Sequence, residues 1–307
     1  MAQVDEARLR KHLEEICFVR SHIFNPRAVR RAAHYIEEAF RSYGLSVGAD
    51  EFSHWITTWH RNKNVIAGFP HADPEAPCLI IGAHYDAVPF SPGADDNGSG
   101  VAVMLEAARI LSQTDLPSNL QVRFAAFAME ELGFVGSEHY VETLQASRTP
   151  VIGMLSLECV GYTSSQPGSQ IVPPGLTIQV PDRGDFIGIV GNTDSGMLKD
   201  SLESVIHQHV HELKAVSLLI PDNGHVLPAT RLSDHSPFWD AGYPALLITD
   251  TAFLRNPHYH RPSDRIKTLD FSFMTQLTQA IIGLPEELAR SIHTRRSGLT
   301  QKSSRPS

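Results

Sequence analysis

The residues in this chain best suited to chemistry are His84-Tyr85-Asp86, Asp95-Asp96, Glu130-Glu131, Glu158 and the segment His258-Tyr259-His260. Each lies at or just past the end of an apolar run, or at a turn into a helix. Imidazole and carboxylate groups delivered separately to one rim of a sheet make a hydrolytic metal site. Zinc takes histidine nitrogen and Asp/Glu oxygen, and a catalytic site keeps one position open for water. Two metals about 3.5–4 Å apart need a carboxylate between them.

Taken singly, several of these residues have plainer readings. His84 ends an apolar run and could be a satisfied core histidine. Asp86, two residues on, changes that, because a metal-bound histidine usually passes its other N–H to a carboxylate. The run Gly93-Ala94-Asp95-Asp96-Asn97-Gly98-Ser99-Gly100 suits the cap of a helix. Its two adjacent carboxylates nevertheless repel unless a cation sits between them or one faces water, which makes Asp96 the candidate bridge. Glu130-Glu131 follows Phe124-Ala125-Ala126-Phe127-Ala128, where two carboxylates are costly unless a positive charge receives them. One of the pair can bind metal while the other serves as general base. Glu158 ends Met154-Leu155-Ser156-Leu157 and reads as a third carboxylate ligand. His258 and His260 compete for one ligand role, and spacing does not choose between them.

Elements must carry these groups to one place. Apolar positions at three- and four-residue spacing predict helices over 4–17 and 27–43. A β-rich stretch over 46–67 follows. Short apolar runs at 78–83, 122–128, 151–157, 186–190, 215–220 and 245–249 read as buried strands. Helical spacing recurs at 101–111, 195–213, 234–241 and 270–291. This alternation predicts a three-layer α/β/α sandwich around a mixed, mostly parallel sheet. In such sheets sites form outside the carboxyl ends of the strands. One domain over 1–292 is expected, with a disordered basic, Ser-rich tail over 293–307. The Pro/Gly/Ser-rich stretch 163–185 reads as an excursion, either covering the cleft or lying on the surface.

The net charge of -8 and pI near 6.0 offer no basic face to phosphates, so nucleic acid is not an expected partner. Three cysteines fit no disulfide framework or cysteine zinc motif. No apolar run reaches the roughly 18 residues of a membrane span, and Met1 to Arg10 shows no apolar signal core. A soluble, cytoplasmic protein is the expectation. His207, His209 and His211 look like a metal tract but belong to a surface helix. Gly188 to Gly196 lacks the dinucleotide order, and Ser99 lacks the glycine of a nucleophile elbow.

The ordered set resembles the co-catalytic two-zinc aminopeptidases related to the leucine aminopeptidases of Streptomyces and Aeromonas, over roughly residues 65–285. The motifs that carry the resemblance are His84-Tyr85-Asp86, Gly93 to Gly100, Glu130-Glu131-Leu132-Gly133-Phe134-Val135-Gly136-Ser137, Glu158, and Tyr259-His260 with Asp264. It implies that His84 and Glu158 hold one zinc, Glu131 and His260 the other, and Asp96 bridges them, with cobalt or manganese as substitutes. It implies Glu130 as general base, Asp86 behind the ligands, Tyr259 supporting the oxyanion, and Ser233-Asp234-His235 near the cleft. Three carboxylates and a bridging hydroxide would balance two Zn²⁺. The implied substrate is the N-terminal residue of a peptide. Glu158 stands where those aminopeptidases most often have Asp. Glutamate there occurs in metallo-carboxypeptidases and deacylases of N-acyl amino acids, so these are an alternative. A one-zinc, glutaminyl-cyclase-like acyltransferase is another.

Overall fold

A computed structural model describes residues 3–59, 61–176 and 178–303. Its centre is an eight-stranded sheet in the order β1-β2-β4-β3-β5-β8-β6-β7. The strands are β1 (Ser46–Phe52), β2 (Asn62–Gly68), β3 (Cys78–His84), β4 (Gln121–Phe127), β5 (Val151–Glu158), β6 (Ile187–Asn192), β7 (Ala215–Ile220) and β8 (Ala245–Thr249). The four central strands β4, β3, β5 and β8 run parallel. β2 and β6 join that block antiparallel, which gives the expected mixed sheet.

The helices are α1 (Glu6–Ile16), α2 (Pro26–Ser42), α3 (Gly100–Leu111), α4 (Val135–Ala146), α5 (Gly196–His209), α6 (His235–Asp240) and α7 (Phe271–Ser303). Alternation along β3 shows how both faces are covered. Leu79, Ile81 and Ala83 join the core under α1, α2, α3, α5 and α7. Cys78 and Ile80 join the core under α4 and α6. Successive strand side chains point to opposite faces, so a strand buried on both sides reads as one continuous apolar run. α2 is set by an Asn25 cap on the Ala28 N–H with Pro26 in the first turn.

The tail departs from expectation. α7 continues to Ser303, through most of the stretch expected to be disordered. Beyond Pro285 the chain holds no second proline until Pro306, so no backbone N–H is missing from the helical ladder. Residues 304–307 lie outside the described residues. None of the described helices is long and apolar enough to cross a membrane.

Chain order places the site. β3 leads through α3 to β4 on one side, and β4 leads through α4, on the opposite face, to β5 on the other side of β3. The connections therefore diverge between β3 and β5, and a crevice opens at their carboxyl ends. His84 is the last residue of β3 and Glu158 the last of β5.

Candidate metal centre

At that crevice the side chains converge in two groups. His84, Asp96 and Glu158 place ligand atoms within 4.8 Å of one another, as do Asp96, Glu131 and His260. Asp96 belongs to both. Its Oδ1 lies 3.3 Å from His84 Nε2 and its Oδ2 3.0 Å from His260 Nε2. His84 Nε2 is 3.2 Å from Glu158 Oε2, and His260 Nε2 is 3.4 Å from Glu131 Oε2. Glu130 Oε2 approaches His84 Nε2 to 3.7 Å. His260 supplies the second histidine. His258 instead contacts Ser263 Oγ at 3.0 Å through Nδ1.

Backbone elements aim each group. The Asp264 carboxylate accepts hydrogen bonds from the Asp95 and Asp96 N–H groups at 2.8 and 3.1 Å. This turns Asp96 into the crevice and Asp95 away from it. Asp95 accepts from the Gly161 N–H and Asn256 Nδ2 and has no place in either triad. The turn after β4 holds two non-glycine residues left-handed, Met129 at φ 61° and Phe134 at φ 61°, each costing about 1–3 kcal/mol. Packing over-determines that turn. The Met129 N–H donates to His22 Nε2 at 3.2 Å, the Ala128 N–H to Asn64 Oδ1 at 3.0 Å, and the Glu130 N–H to Asp86 Oδ1 at 3.2 Å. Gly136 has no room for a Cβ, which would stand 2.2 Å from the Ala128 carbonyl oxygen. Glu131 Oε1 accepts from the Val88 N–H, leaving Oε2 toward His260. Ser233 Oγ donates to Glu158 Oε2 at 2.9 Å.

The electrostatics call for cations. Asp86, Asp96, Glu130 and Glu158 are buried, and among the described residues no lysine or arginine pairs with them or with Glu131. Burial raises Glu130 well above the usual carboxylate range; His84 opposes this, and the charges of Glu158, Asp234 and Glu131 reinforce it. Burial and the Asp96 charge push Glu131 up to about 7. Burial also opposes ionisation of Asp96, but hydrogen bonds from His260 and His84 outweigh it and hold its carboxyl low. Asp86 is likewise held low against burial by His84, His22 and the Glu130 N–H. His260 is raised to about 10 against burial by Asp96 and Glu131. Protons here take the part that cations take when metals bind. Three nitrogen and oxygen donors in each triad match the donor count of a catalytic zinc site, so the residues fit the metal.

Beside the triads lies an apolar cleft of about 920 Å³, counting its open mouth, with Glu158 and Tyr259 at one end. Its floor is the face of β8, β6 and β7, through Leu247, Val190 and Leu218. Its roof comes from the 163–185 excursion, through Ile171 and Ile178. The excursion thus covers the cleft. It is tied down by the Ile171 N–H on the Leu254 carbonyl and by Arg255 Nε on Gln170 Oε1. The Tyr259 ring stacks on His260 with centroids 3.9 Å apart. Burial, with nearby carboxylates, raises its phenol and keeps it protonated.

Sequence reasoning passed over Arg20 and His22. Fully buried Arg20 donates to the Tyr85 and Gly93 carbonyls at 2.7 and 2.8 Å, tying the segment before α2 to both ends of the ligand loop. His22 supports the Glu130 turn as above. Their only signal is a polar stretch, Arg20-Ser21-His22, between the apolar pairs Phe18-Val19 and Ile23-Phe24, which distinguishes nothing. Asp250, facing Asp95, was also missed.

An α/β sheet whose switch point gathers two donor triads around one shared carboxylate, with a free glutamate alongside, defines a metal-dependent hydrolase. The model of Peptidase family M28 matches residues 64–284, and the chain belongs to that family. It is 37% identical over 268 residues to the uncharacterized protein YfbL of Escherichia coli K12, covering 83% of this chain and 79% of that one. To Leucine aminopeptidase 1 of Trichophyton rubrum it is 27% identical over 276 residues, 85% of this chain and 68% of that one. BSAP, a zinc aminopeptidase from Bacillus subtilis, superposes with a TM-score of 0.72 at 18% identity, over 92% of this chain and 95% of that one. A Porphyromonas gingivalis glutaminyl cyclase superposes with a TM-score of 0.65 at 18% identity, over 92% and 98% of the two chains. These two likenesses speak for the fold alone, and the fold serves more than one reaction.

Proposed function

We infer that this protein is a zinc-dependent aminopeptidase that hydrolyses the N-terminal residue from peptides. The observation that carries this reading is the sharing of Asp96 between two complete donor triads, with Glu130 beside them and bound to neither. His84, Asp96 and Glu158 would hold one zinc, and Asp96, Glu131 and His260 a second. The leucine aminopeptidase relative supports the choice of a peptide N-terminus.

Zinc held by these residues would supply Lewis-acid polarisation of the scissile carbonyl and activation of water at neutral pH. The Glu130 carboxylate takes a proton from the attacking water as the C–O bond forms. It gives that proton to the leaving amine as the C–N bond breaks. Asp86, 3.6 Å from His84 Nδ1, orients the imidazole. The protonated Tyr259 hydroxyl is suited to donate to the developing oxyanion. The cleft beside Glu158 and Tyr259 receives an apolar side chain of the N-terminal residue. Cys17, Cys78 and Cys159 are all free thiols, which favours a reducing, cytoplasmic setting.

The test is metal content per chain, with leucine p-nitroanilide and its N-acetyl form assayed in parallel. Two zinc ions and cleavage of the free-amino form are expected. One zinc with no hydrolysis of either compound would sink the reading.

A further inference from the structure

The cleft is longer than one side chain requires, and strand register measures it. Glu158 at the end of β5 pairs across to Thr249 of β8, Thr249 to Gly188 of β6, and Gly188 to Val216 of β7. One ladder therefore runs from a ligand of the metal centre to the edge strand. All four residues line the cleft. Neighbouring strands lie about 4.8 Å apart, so three steps reach roughly 14 Å from Glu158. Gly188 contributes no side chain in the middle of that row, so the floor of the trough there is backbone flanked by the Thr249 and Thr251 methyl groups. The next row, Leu247–Val190–Leu218, deepens it with aliphatic groups.

The walls decide what fits. Among the described residues the lining is mostly aliphatic, and beyond Glu158 and Tyr259 at one end only Gln170, Thr230, Thr249 and Thr251 offer polar side-chain atoms. A peptide backbone laid along the trough would therefore leave most of its N–H and C=O groups without partners. An alkyl chain loses nothing there. With carbon–carbon bonds of about 1.5 Å in a zigzag, 14 Å corresponds to roughly ten or eleven carbons. The trough points away from the triads on the Glu158 side, and the metal centre sits at its mouth.

Resting on the reading of this centre as a zinc amide hydrolase, we propose that it also cleaves amides of straight-chain aliphatic acids of about eight to twelve carbons, the chain lying along the Glu158–Thr249–Gly188–Val216 row. The reaction is hydrolysis. Water adds its oxygen to the acyl carbon, the C–N bond breaks, and the amine leaves with a proton, giving a fatty acid and a free amine. No other reactant is needed.

The test uses the zinc-loaded protein and a series of acyl p-nitroanilides from acetyl to hexadecanoyl, with leucine p-nitroanilide alongside. kcat/KM is expected to rise about fourfold per added methylene, to peak near ten carbons and to fall beyond. Decanoate should inhibit leucine p-nitroanilide hydrolysis at least 100-fold more tightly than butanoate. Val216→Trp, at the far end of the row, should lower the decanoyl-to-butanoyl ratio of kcat/KM at least tenfold. A series flat or falling with chain length, while leucine p-nitroanilide is cleaved, overturns the proposal and leaves the aminopeptidase standing. Length-dependent acyl cleavage without leucine p-nitroanilide cleavage supports it and removes the aminopeptidase. Inactivity on both removes both.

Discussion

The two triads around Asp96 are built from different materials. His84 and Glu158 sit on the last residues of adjacent parallel strands, and the His84 side chain is 0% exposed. Glu131 and His260 sit on turns, and the His260 side chain is 39% exposed at a left-handed φ of 58°. The inner triad is held by the sheet ladder itself. The outer one depends on Val88, Asp264 and the Arg20 clamp to bring loops into register. A sheet end gives a rigid half-site, while a loop gives a half-site open to solvent and substrate. The inner ligands should therefore govern fold and tight binding, and the outer ligands occupancy and turnover.

The severest way to break that distinction is to remove what the triads share. Asp96→Ala should take both ions from the protein and lower kcat/KM by about 10³-fold or more, as loss of a metal-held nucleophile does. A variant with one retained ion and near-normal rate would mean that Asp96 does not bridge. Glu130→Gln should keep both ions and lose about 10²–10⁴-fold in kcat. Metal analysis and kinetics on the same sample separate the two cases, because only the first variant is metal-poor. Next come the histidines, which set one triad against the other. His84→Ala leaves buried Glu158 and Asp96 without their imidazole and should destabilise the metal-free protein by about 3–5 kcal/mol. His260→Ala should cost the metal-free protein less than His84→Ala does, because the His260 side chain is 39% exposed and its pairing with Asp96 and Glu131 is screened by water, yet lose one ion. Equal melting temperatures for the two variants would erase the inner–outer difference. Asp86→Asn should act on the inner triad alone and weaken metal affinity about 10–100-fold.

The inner triad was the more legible half in the sequence, for a physical reason. A strand buried on both faces writes itself as an apolar run, and a charged residue at its end stands out, as His84 and Glu158 do. The strands and most helices follow from the same runs; α4 (Val135–Ala146) was missed, and the strand order that makes the switch point was not readable from them. The outer triad was legible in part: the residues offered Asp96, one of Glu130 and Glu131, and one of His258 and His260, and only the motif resemblance chose Glu131 and His260. Nothing in His258-Tyr259-His260 says which imidazole turns inward; the left-handed backbone at His260 decides that, and spacing does not encode it. Arg20 and His22 were invisible because they act across about 65 and 107 positions of sequence, through hydrogen bonds to Tyr85 and Met129. The roof of the cleft was left open between two readings, since a Pro/Gly-rich stretch carries no period from which its resting place can be read.

The mildest expected effect concerns protons standing in for metal. Without zinc, Glu131, Asp234 and Asp264 are raised to about 7 and Asp250 to about 6, in each case chiefly by burial. A carboxyl whose folded pKa exceeds its unfolded value near 4 binds more protons folded than unfolded across that interval. Its contribution is therefore complete below about pH 4 and is lost as pH rises through 6 to 7. His260, raised to about 10, acts in the same direction, its contribution present below about pH 6.5 and lost as pH rises through 10. Zinc needs Glu131 and His260 deprotonated, so its stabilisation grows over the interval in which theirs fades. The difference in melting temperature between zinc-loaded and metal-free protein should widen by several degrees from pH 5 to pH 8. Differential scanning calorimetry at fixed zinc excess measures it directly. A gap independent of pH would show that the buried carboxylates are not exchanging protons for cations, and the argument that joins both triads into one metal centre would lose its electrostatic footing.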